Sequence, residues 1–164
     1  MALKVALQMD PIGSVNINAD STFRIALEAQ ARGHSLFFYT PDRLAFVEGR
    51  VLARGWPIEV RREVGNHVTY GAETEVDLGD FDVVWLRQDP PFDFEYVTAT
   101  WLLERAQQAG ARIFNHPRSI RDHSEKLAIT EFPQFTPATR VARAAVDINA
   151  FIDTHGDRSE ERRV

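Results

Sequence analysis

The stretch Trp85-Leu86-Arg87-Gln88-Asp89-Pro90-Pro91-Phe92-Asp93-Phe94-Glu95-Tyr96 carries a short apolar run, Val83 to Leu86, through a charged elbow into an amphipathic segment. The apolar run has the length and composition of a buried strand. Each proline locks its own φ, and Pro90 also drives Asp89 away from the helical region, so the Asp89 carboxylate stands on extended backbone ahead of the helix. Open α/β sheets gather ligand-binding groups at the carboxyl ends of their strands. Arg87 and Asp89 at such an end therefore mark a small-molecule crevice.

Working outward, the same grammar recurs on both sides. Leu3 to Met9 reads as a first buried strand, broken by Asp10-Pro11-Ile12-Gly13-Ser14. Asp20 or Ser21 then caps a helix in which Phe23, Ala26, Leu27 and Gln30 follow i, i+3, i+4, i+7 spacing, and Gly33 ends it as C′. His34 to Tyr39 is the next strand, which completes a β-loop-α-β unit with a right-handed crossover. After the elbow, a helix is expected over Asp93 to Ala109, with Phe94, Val97, Trp101 and Leu102 on its inward face. Gly110 closes it, and Ala111 to Phe114 forms a further strand ending at Asn115-His116-Pro117. Three strand ends thus carry polar residues beside proline: Asp10, Arg87 with Asp89, and Asn115 with His116. Parallel strands would bring all three to one edge.

Between these units, residues 41 to 80 break the rhythm. Ala45-Phe46-Val47, Arg50-Val51-Leu52 and Ile58-Glu59-Val60 are punctuated by Gly49, Gly55 and Gly65, which suits antiparallel strands. The predicted fold is a three-layer, open, mostly parallel α/β sheet of Rossmann-like type with an antiparallel excursion at about 41–80. Beyond Pro117 the pattern changes again. Ser119 to Thr130, containing Lys126, is expected to be helical. A turn-rich connector Phe132-Pro133-Gln134-Phe135-Thr136-Pro137 follows, then a short strand Thr139 to Ala142, and a helix Val146 to His155 with Ile148, Phe151 and Ile152 inward and Gly156 as its stop. Five of the last seven residues, 158–164, are charged, and this composition predicts a disordered tail.

Composition narrows the function classes. At 164 residues, with 44% hydrophobic and 26% charged residues, the chain is an ordinary globular one, able to bury roughly 70% of its unfolded surface. The net charge of −5 speaks against nucleic-acid binding, and the one dense basic run, Arg158 to Arg163, is interrupted by Glu160 and Glu161. There is no cysteine, so disulfides and thiolate metal sites are excluded. No apolar run is long enough for a membrane span or a signal peptide, and a cytoplasmic location is the expectation. The five histidines, at 34, 67, 116, 123 and 155, show no short metal-ligand spacing. Neither Gly-x-Ser-x-Gly nor Gly-x-Gly-x-x-Gly occurs.

Each candidate residue also has a plainer role. Arg87 and Asp89 either face a ligand or form surface ion pairs, Asp10 either meets substrate or forms the turn before Pro11, and Asn115 either contacts substrate or caps the following turn. Asp93 is placed to cap the helix it opens, with Glu95 at the helix's positive end. Lys126, from its residue type alone, is a solvated helix lysine.

Taken together, Met9-Asp10-Pro11-Ile12, Ile17 with Asp20-Ser21, Leu27-Glu28-Ala29-Gln30, Arg87 with Asp89-Pro90-Pro91-Phe92-Asp93, and Ala99-Thr100 with Leu103-Glu104-Arg105-Ala106 make a longer signature. It continues through Asn115, Pro117, Ser119, Arg121-Asp122, Glu125-Lys126-Leu127 and Thr136-Pro137. In order and spacing, over residues 1 to about 157, this pattern resembles the N-terminal half of the bacterial glutathione synthetases, which are ATP-grasp ligases. The resemblance implies a pre-ATP-grasp, substrate-side domain over 1–122, the start of an ATP-grasp region over 123–157, and a divergent charged tail over 158–164. It implies substrate binding by Asp10, Arg87, Asp89 and Asn115 and ATP contact by Lys126. The implied reaction has two steps. ATP phosphorylates the cysteinyl carboxylate of γ-glutamylcysteine, and the amine of glycine displaces phosphate from the acyl phosphate to give glutathione, with Mg²⁺ offsetting the phosphoryl charge.

The chain departs from the family after His155-Gly156-Asp157, where a second ATP-binding lysine, a glycine-rich loop and metal ligands are expected. No lysine follows Lys126. The expectation is therefore a fragment with no catalytic residues or metal ligands of its own, inactive alone, acting as a homo-oligomer or with a complementing C-terminal half. The alternative is a non-catalytic binding or assembly module derived from the ligase.

Overall fold

The computed structural model of the protein describes residues 1–124 and 126–156. They divide between two compact units, one of Met1–Asp122 and one that begins at His123.

The first unit is built on a sheet in the order β3 (Leu44–Val47), β4 (Arg50–Val60), β2 (Ser35–Tyr39), β1 (Lys4–Gln8), β7 (Val83–Leu86) and β8 (Ile113–Phe114), with β5 (Val68–Tyr70) and β6 (Thr74–Asp77) also pairing with β4. Strand β1 (Lys4–Gln8) lies at its centre, parallel to β2 (Ser35–Tyr39) on one side and to β7 (Val83–Leu86) on the other, and β7 is parallel to β8 (Ile113–Phe114). Its Val5, Ala6, Leu7 and Gln8 are all buried, as befits a strand covered on both faces. Alternation sorts them. Val5 and Leu7 join Leu36 and Phe38 beneath helix α1 (Ser21–Ala31), which contributes Phe23 and Ala26. Ala6 joins Phe37, Tyr39, Val84 and Leu86 beneath helix α2 (Phe94–Gln108), which contributes Leu103 and Ala106. The result is the expected three-layer α/β arrangement, with one core on each side of the sheet.

Local chemistry sets the helix ends where the sequence places them. Asp20 accepts the Phe23 N–H at 2.6 Å and Asp93 accepts the Tyr96 N–H at 2.9 Å, so each is an N-cap. Gly33, at φ +80°, takes the left-handed conformation just past α1.

The excursion at 41–80 consists of antiparallel strands: β3 (Leu44–Val47), β4 (Arg50–Val60), β5 (Val68–Tyr70) and β6 (Thr74–Asp77). Its organisation is more continuous than the glycines suggest, because Gly55 lies inside β4 instead of ending a strand. A Cβ at Gly55 would stand 2.1 Å from the carbonyl oxygen of Phe38, so the residue permits a close approach of two backbones. On either side of it, β4 serves different cores. Val51 and Ala53 join the α2 side, and Ile58 and Val60 join the α1 side.

Four local expectations are corrected. The buried face of α2 is Tyr96, Ala99, Thr100, Leu103 and Ala106, whereas Phe94 and Trp101 are 73% and 47% exposed. Small residues let the helix approach the sheet closely, and apolar periodicity gives them too little weight. The helix expected over 119–130 stops early: α3 covers Pro117–Asp122, Lys126 lies in an exposed turn, and Ala128–Glu131 is a 3-10 turn. No strand forms at 139–142. In the second unit, α4 (Ala145–His155) leaves Ile148 exposed, with Phe151 and Ile152 half-buried. The order of the charged tail lies outside the described residues.

Candidate functional site

The elbow after β7 is fastened residue by residue. The Arg87 backbone N–H extends the β1 pairing by donating to the Gln8 carbonyl at 2.8 Å. The Arg87 side chain reaches the first turn of α1, where Nε donates to Thr22 Oγ1 at 3.0 Å and Nη2 to Ser21 Oγ at 2.8 Å. Gln88 Oε1 accepts from Gln8 Nε2 at 2.8 Å, and the Asp89 backbone N–H donates to Asp10 Oδ2 at 3.1 Å. Three nearby elbow residues are thus tied to three different places: a helix start, a central strand and the turn after that strand.

Parallel pairing brings the remaining strand end alongside. Trp85 is in register with Phe114, so Asn115 follows β8 on the same carboxyl edge as Arg87 and Asp10. Its side chain is exposed, and the capping role falls to its neighbour: His116 Nδ1 accepts the Ser119 N–H at 3.3 Å. Asp10, Arg87, Asp89 and Asn115 therefore share one edge of the first unit. Lys126 belongs to the second unit, with its side chain exposed.

A hollow of about 480 Å³ opens on this edge, lined by Asp10, Asp42, Gln88, Asp89, Tyr96 and Ala99 among others. A second, of about 680 Å³, shares Asp10 and Asp42 but has aromatic walls of Phe38, Trp56 and Tyr70, with the Arg43 guanidinium 4.4 Å from the Trp56 ring centroid. Partial burial pushes the Asp89 carboxyl above the usual carboxylate range. The negative charges of Asp10 and Asp20 reinforce this shift, and Arg87 opposes it. Below the edge, Gln8 Oε1 and the Tyr39 hydroxyl are buried without a hydrogen-bond partner, and burial pushes the Tyr39 hydroxyl far above its ordinary pKa.

The contributions of Gln8, Gln88, Ser21 and Thr22 were not read from sequence. A polar Gln8 closing an otherwise apolar strand was the available signal. Ser21 and Thr22 looked like ordinary members of a helix start. Among the described residues no group of three or more His, Asp or Glu stands close enough to hold a metal ion. Lys126, the ATP contact that the resemblance implies, lies in a turn with its side chain exposed.

A partly desolvated crevice with acidic and amide groups at the carboxyl edge of parallel strands, flanked by helices on both faces, is the arrangement in which open α/β domains commonly hold small molecules, and it places the fold in the three-layer α/β class. The class becomes a family on comparison with known proteins. The sequence model described as prokaryotic glutathione synthetase, N-terminal domain, matches residues 3–121. The chain is 47% identical over 156 residues to a glutathione synthetase of Rhodopseudomonas palustris, covering 95% of this chain and 50% of that protein. It is 48% identical over 156 residues to one of Bradyrhizobium diazoefficiens, covering 95% and 49%, and 47% identical over 157 residues to one of Brucella melitensis, covering 96% and 50%. The chain belongs to the prokaryotic glutathione synthetase family, a family of ligases, and it spans about half the length of the curated relatives it matches.

Proposed function

We propose that this chain supplies the peptide-binding side of glutathione synthase, the ATP-dependent ligase that joins glycine to γ-glutamylcysteine. The observation that carries the reading is the fastened elbow. Within the stretch that matches the family's N-terminal domain, Arg87, Gln88 and Asp89 are each held by a separate partner at the carboxyl edge of the sheet. Such restraint suits recognition of a small zwitterionic peptide, because groups already fixed lose little freedom on binding. Arg87 would take a carboxylate of the dipeptide, Asp10 and Asp89 its ammonium group, and Asn115 a polar group near the same edge.

On this reading 1–122 is the substrate-side domain and 123–157 the beginning of the ATP-grasp region, with Lys126 as a contact for ATP phosphate. The ligands for Mg²⁺ and the rest of the nucleotide pocket come from a complementing half, and the chain alone is inactive. Self-association through the first unit and a cytoplasmic location belong to the same proposal. No helix of the described residues is long and apolar enough to cross a membrane.

The test has two parts. Calorimetric titration should show γ-glutamylcysteine binding to the chain, weakened by Arg87→Ala. Mixing the chain with a polypeptide corresponding to the C-terminal half of the Rhodopseudomonas palustris relative should give glutathione that depends on ATP and on glycine. Dipeptide binding with no product from the mixture is the outcome expected of a non-catalytic binding module. Absence of dipeptide binding would exclude the proposal.

A further inference from the structure

We infer that Ser21 and Thr22 are positioning residues: their hydroxyls hold the Arg87 guanidinium in a fixed orientation, with no carboxylate bonded to it, for a carboxylate of the bound peptide. The inference rests on the proposed role of Arg87 in peptide binding.

The geometry is specific to one edge of the guanidinium. Nε and Nη2 form the lateral fork of an arginine, and they donate to Thr22 Oγ1 at 3.0 Å and Ser21 Oγ at 2.8 Å. These two bonds leave the end-on fork, made by Nη1 and the second Nη2 hydrogen, unengaged by the clamp. That fork matches a carboxylate in bidentate fashion. The far end of the side chain is therefore anchored in α1 while its backbone is anchored to Gln8 in β1. A long, flexible cation becomes a fixed one.

The chemistry of the partners matters as much as their position. Hydroxyl oxygens accept from the guanidinium without cancelling its charge. Arg121 shows the contrast. Its guanidinium is spent on the carboxylates of Glu104 at 2.7 Å and Asp122 at 3.7 Å. Among the described residues no carboxylate stands within ion-pair distance of Arg87. Asp20 caps the same end of α1 and the charge of Arg87 acts on Asp89 through space, so what the neutral hydroxyls preserve is the free end-on fork of the guanidinium. The two positions also differ usefully, since Thr22 is 4% exposed and Ser21 lies at the surface.

The experiment is a mutant cycle read by calorimetric titration with γ-glutamylcysteine, with melting temperatures recorded in parallel. Ser21→Ala, Thr22→Val and the double variant are prepared with Arg87 present and with Arg87→Ala. Positioning predicts that the double variant binds about tenfold more weakly when Arg87 is present, the scale of coupling within one hydrogen-bond network. It also predicts almost no further loss in the Arg87→Ala background, and recovery of affinity in Thr22→Ser. Should Thr22→Val fail to fold, the surface variant Ser21→Ala completes the cycle on its own. Unchanged affinity with a lowered melting temperature would show a structural strut and overturn the inference, as would losses that simply add to that of Arg87→Ala. In both of those cases the role of Arg87 in binding stands. If Arg87→Ala binds the dipeptide as the unaltered protein does, or if neither binds it, the inference falls together with the reading beneath it.

Discussion

The carboxylate of Asp10 receives the backbone N–H of Asp89 at 3.1 Å, joining the turn after β1 to the elbow after β7 across 79 residues of sequence. The bond places two acidic side chains close together on a partly desolvated edge, and the electrostatic consequence falls on Asp89. Its proton is held more tightly in the folded protein than in the unfolded chain, through burial first and then through Asp10 and Asp20.

The sign of the pH effect follows from this raised affinity. A carboxyl whose pKa is raised by folding carries no penalty below its unfolded value of about 3.9, and the penalty enters as pH rises through the folded value. Asp89→Asn should therefore stabilise the protein slightly at pH 7, by no more than about 0.5 kcal/mol for an exposed and solvent-screened group. The gain should disappear by about pH 3.5–4. Thermal melts of both proteins across this range check it, and a gain that grew toward acid would contradict the assignment.

Glu104 has the opposite sign. Its hydrogen bond from Arg121 at 2.7 Å holds its carboxyl below the ordinary range. A lowered pKa gives stability that is present above the unfolded value, about 4.3, and is lost as pH falls through the folded one. Glu104→Gln should cost about 0.5–1 kcal/mol at pH 7, and the difference from the unaltered protein should narrow as pH falls below the unfolded value of about 4.3. Urea denaturation at pH 7 and pH 3.5 measures both ends.

Along the same helix, Trp101 and Leu103 should separate sharply. Trp101 is 47% exposed and meets Phe94 edge-on at 6.0 Å and the Arg121 guanidinium at 5.8 Å. Trp101→Ala should cost about 1 kcal/mol or less. Leu103 is fully buried in the core beneath α2. Leu103→Ala should cost about 2–5 kcal/mol. Chemical denaturation midpoints give the comparison directly, and a larger loss at Trp101 would mean that α2 presents another face to the sheet.

Much of the first unit was legible because its signals are local. Asp20 and Asp93 announce their helices through the N–H groups they cap, and Gly33 marks the end of α1 by the backbone angle it permits. The face of α2 was misread for a physical reason. Ala99, Thr100 and Ala106 pack inward because they are small, which carries little weight in a pattern scored on hydrophobic bulk. Gly55 was read as a break because glycine usually is one; only the approach of the Phe38 carbonyl shows why it sits in mid-strand.

The sequence by itself determined the parallel strands and the two long helices of the first unit, the polar strand ends and the family signature, since each depends on residue type and spacing along the chain. It also placed Asp10, Arg87, Asp89 and Asn115 on one edge, once parallel strands were granted. Only the tertiary structure decided what those residues touch. The Arg87 contacts with Ser21 and Thr22, the Gln88 contact with Gln8 and the Asp89 contact with Asp10 each span 65 residues or more. Such pairings depend on how far the sheet twists and how closely a helix approaches it, and both are set by packing of the whole domain.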